Sequence, residues 1–138
     1  MNKENLRTTI KSALTAGRRA LTAPEAQQLC EAYGISTPKQ ALATTASEAA
    51  EVAAKLGFPV VLKIVSDDIL HKTEAGGVIV GVKSAEDAQS AYEKIIASAK
   101  SYKADANITG VQVQQMLTGG QEVIIAAVTA GSFGKLVA

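Results

Sequence analysis

Apolar positions repeat first with a helical period and then with a strand period, and the change-over outlines the elements. Leu6, Ile10 and Leu14 recur every four residues and predict a helix over residues 3–17 that Gly17 ends. Leu29, Cys30 and Tyr33 give the inner face of a second helix, which opens at Thr22 and closes at Gly34 in the left-handed C-cap position. Its start, Thr22-Ala-Pro-Glu25, is a capping box: the hydroxyl accepts from one backbone N–H while the carboxylate reaches back to another. Pro24 is harmless in a first turn, where the N–H has no helical partner. Ile35–Pro38 reads as an extended link and Lys39–Ala43 as a short strand. Thr45-Ala-Ser-Glu48 repeats the box and opens a helix to Leu56, turned inward through Ala49, Val52, Ala53 and Leu56 and closed by Gly57 and Pro59.

The period then shortens. Val60-Val61-Leu62 and Ile64-Val65 form an apolar run that predicts a buried strand, interrupted by Lys63. A second strand is expected over Val78–Val82. Ser84-Ala-Glu-Asp87 caps a helix running to about Lys100, with Ala88, Ala91, Tyr92, Ile95 and Ile96 as its apolar face. Residues 101–107 are polar and loop-like. Ile108–Leu117 contains the alternation Val111-Gln112-Val113-Gln114, Thr118–Gln121 is a turn, and Glu122–Val128 reads as the next strand. A turn at 130–132 precedes the start of another strand, Leu136–Ala138. The order α, α, β, α, β, β, α, β, β, β predicts an α+β layer: a mixed or antiparallel sheet with helices packed on it. Strict β-α-β alternation fails twice, so a doubly wound parallel sheet is the weaker choice. Because the sequence stops inside an apolar segment, the chain is expected to be a piece of a longer protein.

Composition narrows the classes. A net charge of +1 gives no basic field for nucleic acid, and five Tyr and Phe with no Trp give no base-stacking platform. Cys30 is the only cysteine, which excludes an internal disulfide, suits a reducing compartment and, in its helical apolar pattern, reads as core. No apolar run approaches the roughly 20 residues that span a membrane. The N-terminus lacks the apolar stretch and cleavage site of a secretory signal, so the expected location is the cytoplasm. Arg18-Arg19 reads as a solvated connector.

The chemistry gathers around residues 60–82. A lysine inside a buried strand is costly unless an anion meets it. Lys63 is therefore either an edge lysine whose stem snorkels to water or a rigidly held charge for a phosphate. Ser66, Asp67, Asp68, His71, Lys72 and Gly76-Gly77 make a polar, Gly-hinged segment that reads as a mobile lid. His71, the chain's only histidine, is a candidate phosphate acceptor or acid/base group there. Metal binding is not expected, since no second His or Cys stands at ligand spacing. Gln114-Gln115-Met116-Leu117 ends a strand before Gly119-Gly120. It reads either as an ordinary strand end or as an adenine-binding hinge, with backbone groups on the purine edge and Met116 on its face. Glu122 is either a rim charge or a ribose acceptor. No GxGxxG or GxxxxGK[ST] loop and no Ser-His-Asp arrangement is present.

In one order along the chain come Leu21-Thr-x-Pro-Glu-Ala26, Tyr33-Gly-Ile35, Gly57-Phe-Pro-Val-Val-Leu-Lys-Ile64, His71-Lys-x-x-x-Gly-Gly-Val78, Val113-Gln-Gln-Met116 and Gly120-x-Glu-Val-Ile124. This set resembles the ATP-grasp domain of the NDP-forming acyl-CoA synthetases, the group that includes ADP-forming acetyl-CoA synthetase. The resemblance implies an N-terminal helical segment and connector over 1–21 and a first ATP-grasp subdomain over 22–138, truncated at its C-terminus. It implies acyl-CoA formation from a carboxylic acid, CoA and ATP through acyl-phosphate and phosphohistidine intermediates, with this chain alone inactive. By the same resemblance Lys63 meets the nucleotide phosphates; Lys72, Gly76 and Gly77 are candidate nucleotide-binding residues beside it. Gln114, Gln115 and Met116 form the adenine hinge, Glu122 sits near the ribose, and His71 matches a second phosphate-relay histidine. ATP/ADP and Mg2+ are the implied cofactors, the magnesium carboxylates lying beyond residue 138. CoA and the principal phosphohistidine belong to a separate CoA-binding/CoA-ligase portion, the implied partner.

The chain departs from the pattern at Gln115, where the hinge often carries an acidic residue. It departs again at Ala130-Gly-Ser132, where the family often shows an Asp before Phe-Gly-Pro. The same domain occurs fused to acetyltransferases, so a regulatory or ligand-sensing domain is the alternative, and a structural lobe without ligand is a third.

Overall fold

The structure, a computed structural model, describes residues 3–137. Its order is α1 (Lys3–Thr15), α2 (Ala23–Ala32), β1 (Gln40–Ala43), α3 (Ala46–Leu56), β2 (Val60–Ser66), β3 (Val78–Val82), α4 (Ala85–Tyr102), β4 (Ile108–Gln115), β5 (Ala127–Ala130), a 3-10 turn (Gly131–Phe133) and β6 (Gly134–Val137). This is the order the patterning predicts. Strands β1-β4-β2-β3 form one sheet and β5-β6 a second, and every pairing is antiparallel. The class is α+β.

Helices α3 and α4 cover one face of the larger sheet. Val60, Leu62, Ile64, Val111 and Val113 meet Ala49, Ala53, Ala88, Ala91, Ile95 and Ala99 in a single core. The run of alanines lets the helices approach each other and the strands closely, at van der Waals distance. Capping follows the sequence. The Thr45 hydroxyl accepts from the Glu48 N–H and the Ser84 hydroxyl from the Asp87 N–H. Glu48 reaches one residue further back than the box predicts, to the N–H and hydroxyl of Thr44, both at 2.7 Å. Glu25 accepts from the Thr22 N–H at 2.8 Å. Gly34 and Gly57 close their helices at φ 75° and 84°.

Three expectations change here, and one holds over its described residues. In α1 the stripe Leu6/Ile10/Leu14 is not the buried face: Leu6 and Ala13 are buried, while Ile10 and Leu14 are exposed. Cys30 is half-buried, and Tyr33 is 61% exposed, so neither belongs to the core. Residues 121–126 are irregular, and the strand expected over Glu122–Val128 forms only as β5 from Ala127. The expected strand Leu136–Ala138 is β6, except that Ala138 lies outside the described residues. Among the described residues, no helix is long and apolar enough to cross a membrane.

The connector between α1 and α2 is not merely solvated. Arg18 makes a two-pronged pair with Glu25, both contacts at 2.9 Å, and lies 3.5 Å from Asp67. It thereby ties α2 to the segment leaving β2. That segment, residues 67–77, is pinned rather than free. Ile69 and Ala75 are buried. Asp68 accepts from the Asn107 N–H at 2.7 Å and from Lys103 at 3.0 Å. The Gly77 N–H donates to the Lys72 carbonyl at 2.7 Å, and the Gly77 carbonyl accepts from the Ile64 N–H at 2.7 Å. The expected lid is a compact turn.

Two outcomes follow from these contacts. A Cβ at Gly77 would collide with Ile64 and press on the Lys72 carbonyl. Gly77→Ala should therefore lower stability by about 1–3 kcal/mol in urea unfolding, as overpacking does. The Arg18 hydrogen bond is the main cause that holds the Glu25 carboxyl down at about 2, from 4.5. A depressed folded pKa means the pairing contributes in full above pH 4.5 and is lost as pH falls from there toward about 2. Thermal unfolding against pH should show Glu25→Gln flattening that part of the acid limb.

Candidate functional site

The helices cover one sheet face, and the period-2 alternation turns a different set of side chains to the other. Lys63 lies opposite Gln112, Val61 opposite Gln114, and Gln40 opposite Gln114. Strand β2 is interior, between β4 and β3, so Lys63 is not an edge lysine. Its ammonium donates to the Gln114 side-chain carbonyl at 2.6 Å. Helix α2 forms one wall over this face and the 70–74 turn another, enclosing an open cleft of ≈ 700 Å³.

Lys63, His71, Lys72 and Gln114 all line that cleft. The half-buried Lys72 ammonium has its pKa lowered, first by burial and then by the neighbouring charge of Lys63. Neither lysine has a carboxylate partner among the described residues. Two like charges on one cleft, one desolvated and one held only by a neutral amide, make a site that favours an anion. His71 is 72% exposed, with Nδ1 4.0 Å from Glu74. A second cleft of ≈ 610 Å³ runs between the 16–23 connector and residues 65–70, and Lys72 lines both.

The other expected site residues are not in the first cleft. Gly76 faces Ser98 of α4, and Gly77 packs against Ile64. Their N–H groups already donate to the Thr73 and Lys72 carbonyls, so neither is free to cradle a phosphate. The Gln115 N–H donates to the Lys39 carbonyl at 2.8 Å and the Met116 N–H to the Pro59 carbonyl at 3.3 Å. Those two donors of the expected hinge are therefore engaged within the chain. Glu122 is exposed in the irregular stretch.

The cleft also holds residues that sequence reading passed over. Gln112 is only 2% exposed beneath Lys63. Gln40 donates to the Gln27 carbonyl, and Gln27 donates to Glu31 at 2.6 Å and Thr37 at 3.1 Å, stitching α2 to β1. Strand alternation exposes Gln112 as a partner of Gln114; nothing in the sequence joins Gln27 to Gln40. No group of three or more His, Cys, Asp or Glu able to hold a metal occurs among the described residues.

Residues 12–138 match the ATP-grasp domain family. The chain is 40% identical over 122 residues to the beta subunit of the ADP-forming acetate–CoA ligase I of Pyrococcus furiosus, covering 88% of this chain and 53% of that subunit. A Pyrococcus horikoshii protein of known crystal structure superposes with TM-score 0.92 at 41% identity, over 98% of this chain and 57% of its own. Acetyl-coenzyme A synthetase 1 of Ca. Korarchaeum cryptofilum, solved with coenzyme A, Ca-AMPCP and HgCl+, superposes with TM-score 0.90 at 37% identity, over 95% of this chain and 57% of its own. The chain thus spans about half the length of the relatives it matches. With the match running through the sheet, both covering helices and the cleft, the chain belongs to the ATP-grasp domain family and corresponds to the ATP-grasp portion of ADP-forming acid–CoA ligases.

Proposed function

We propose that this chain forms the phosphate side of the nucleotide site in an NDP-forming acyl-CoA synthetase, acting with a CoA-binding portion to make acyl-CoA from a carboxylic acid, CoA and ATP. The observation that carries this reading is the pair Lys63 and Lys72, two cations lining one cleft, neither paired with a carboxylate among the described residues. Lys63 is fixed on an interior strand and Lys72 on a pinned turn, so both charges are in place before a ligand arrives. Gln114 accepts from one of the three N–H donors of the Lys63 ammonium and orients it, leaving two donors for a stronger, charged acceptor. A phosphate oxygen is such an acceptor, because charge-assisted hydrogen bonds are roughly twice as strong as neutral ones.

The described residues do not fit a resident metal. In this reading magnesium arrives with the nucleotide, and its carboxylates come from outside the chain. Gln115, Met116 and Glu122 contribute to the base and ribose side only through groups not already engaged, such as the Met116 side chain. His71, beside Lys72 on the cleft rim, is the acceptor proposed for a transferred phosphoryl group. The setting proposed is the cytoplasm, which suits a chain with a single free cysteine.

Calorimetric titration of Mg-ATP into this chain joined to the remainder of an ATP-grasp domain such as its relatives carry tests this. Lys63→Ala should weaken binding by about tenfold or more, the range of a charge-assisted hydrogen bond. Unchanged affinity would sink the reading and leave a structural lobe. Lys72 adds a stability readout. Its folded pKa lies below the ordinary 10.5, so the unfolded chain holds the proton more tightly, and stability rises with pH in the window between the two. Lys72→Met should leave the melting temperature of the free protein equal or higher while weakening Mg-ATP binding, because it removes a charge that only a ligand balances.

A further inference from the structure

A cleft that favours anions has no evident use for a carboxylate, yet Glu74 lines it, the only Asp or Glu among the lining residues. Its position accounts for it. Glu74 stands one turn beyond His71 and its carboxylate is 4.0 Å from Nδ1, the ring nitrogen on that side. The spacing is held by the backbone. The Ala75 N–H donates to the His71 carbonyl at 3.1 Å, the Gly76 N–H to the Thr73 carbonyl at 3.1 Å, and Ala75 is buried beneath the turn. The two side chains are exposed, but the turn that presents them is not loose.

We propose that Glu74 is a positioning residue: it holds the proton of neutral His71 on Nδ1 and so makes Nε2 the phosphoryl acceptor. This rests on the reading of His71 as an acceptor given above. A neutral imidazole carries one N–H; the Glu74 carboxylate, 4.0 Å from Nδ1, is within ion-pair but not hydrogen-bond distance and favours an N–H there through its charge. The other nitrogen then keeps its lone pair. With a nucleoside triphosphate as donor, the Nε2–P bond forms as the bond from the γ-phosphorus to the bridging oxygen breaks. The bonding electrons leave on that oxygen, as the nucleoside diphosphate. No proton has to move, since Nε2 has none. The ring becomes cationic and its Nδ1–H faces Glu74, which offsets the new charge. The same pairing leaves Lys63 and Lys72 free for the phosphate oxygens, dividing the cleft into an ammonium side and a carboxylate-backed imidazole.

His71 is the only histidine, so its ring nitrogens are observed without overlap in the intact 15N-labelled chain. Long-range 1H–15N correlation at a pH where the ring is neutral should show Nδ1 protonated. Glu74→Ala should shift the population toward Nε2–H, and Glu74→Gln, which keeps an acceptor oxygen, should restore much of it. With phosphoramidate as the donor, wild-type His71 should be phosphorylated on Nε2. The Ala variant should react about fivefold more slowly, the factor an exposed charge pair carries. Identical tautomer ratios in wild type and Glu74→Ala would overturn the proposal whatever the Mg-ATP titration shows. An Nδ1–H ring that takes no phosphoryl group, or takes it on Nδ1, would overturn the acceptor assignment while leaving nucleotide binding at Lys63 intact.

Discussion

The antiparallel register of β2 against β4 runs from Val60 opposite Gln115 to Val65 opposite Gly110. It sets both what the protein buries and which side chains it turns to the cleft. Side chains alternate across a strand, so one register places Leu62, Ile64, Val111 and Val113 under α3 and α4 and places Lys63, Gln112 and Gln114 on the opposite face. A slip of one residue would exchange the two sets. It would drive an ammonium into an alanine-lined core and turn the isoleucine and valines to the cleft, an exchange opposed by both the hydrophobic term and the desolvation of a charge. The hydrophobic force that makes the sheet therefore also fixes the cation in the cleft.

The histidine-bearing turn is secured from the same strand. Ile64, next to Lys63, donates its N–H to the Gly77 carbonyl, and the absence of a Gly77 side chain lets the two backbones approach. Ile69 and Ala75 anchor the turn in the core, while Asp67 and Asp68 fasten its start to Arg18, Lys103 and Asn107. Lys72 and His71 thus hang from a rigid frame. Rigid charges need no reorganisation when a polyanion binds, which is where an enzyme gains most from electrostatics.

Much of this was legible in the sequence because the signals are local. Capping boxes, left-handed glycines and the switch of period gave the elements in order, and the Val111–Gln114 alternation gave the two-faced strand. Reading failed where the deciding partner lies far along the chain. Arg18 looked solvated because its partner Glu25 reads in sequence only as a capping residue and its second partner, Asp67, lies 49 positions away. Gly76-Gly77 carried a true signal of close packing, with Ile64 leaving no room for a Cβ at Gly77 and Ser98 crowding one at Gly76. Sequence shows the need for space without showing what fills it. Cys30 and Leu14 sit in helical apolar patterns, yet α1 and α2 only flank the sheet and have little core to face.

The stretch after β4 fails for a different reason. Val123, Ile124 and Ile125 have strand-forming side chains, but they are 71%, 91% and 80% exposed. Strand propensity expresses fit to a half-buried pleated surface, and among the described residues no such surface reaches them. The same absence separates the two sides of the candidate site. The proposed phosphate side, Lys63 and Lys72, is carried by the interior of the four-stranded sheet and the turn pinned to it. The base and ribose side would draw on Met116 and Glu122, which stand where packing gives out. A ligand gripped by its phosphates alone is held through charge, which is strong but tells one nucleotide from another poorly. Discrimination needs directional contacts to a base, and those require the apolar segment 123–125 to find a covering surface. In the proposed site, affinity and specificity would thus fall to different parts of the fold, and the sheet register bears only on the first.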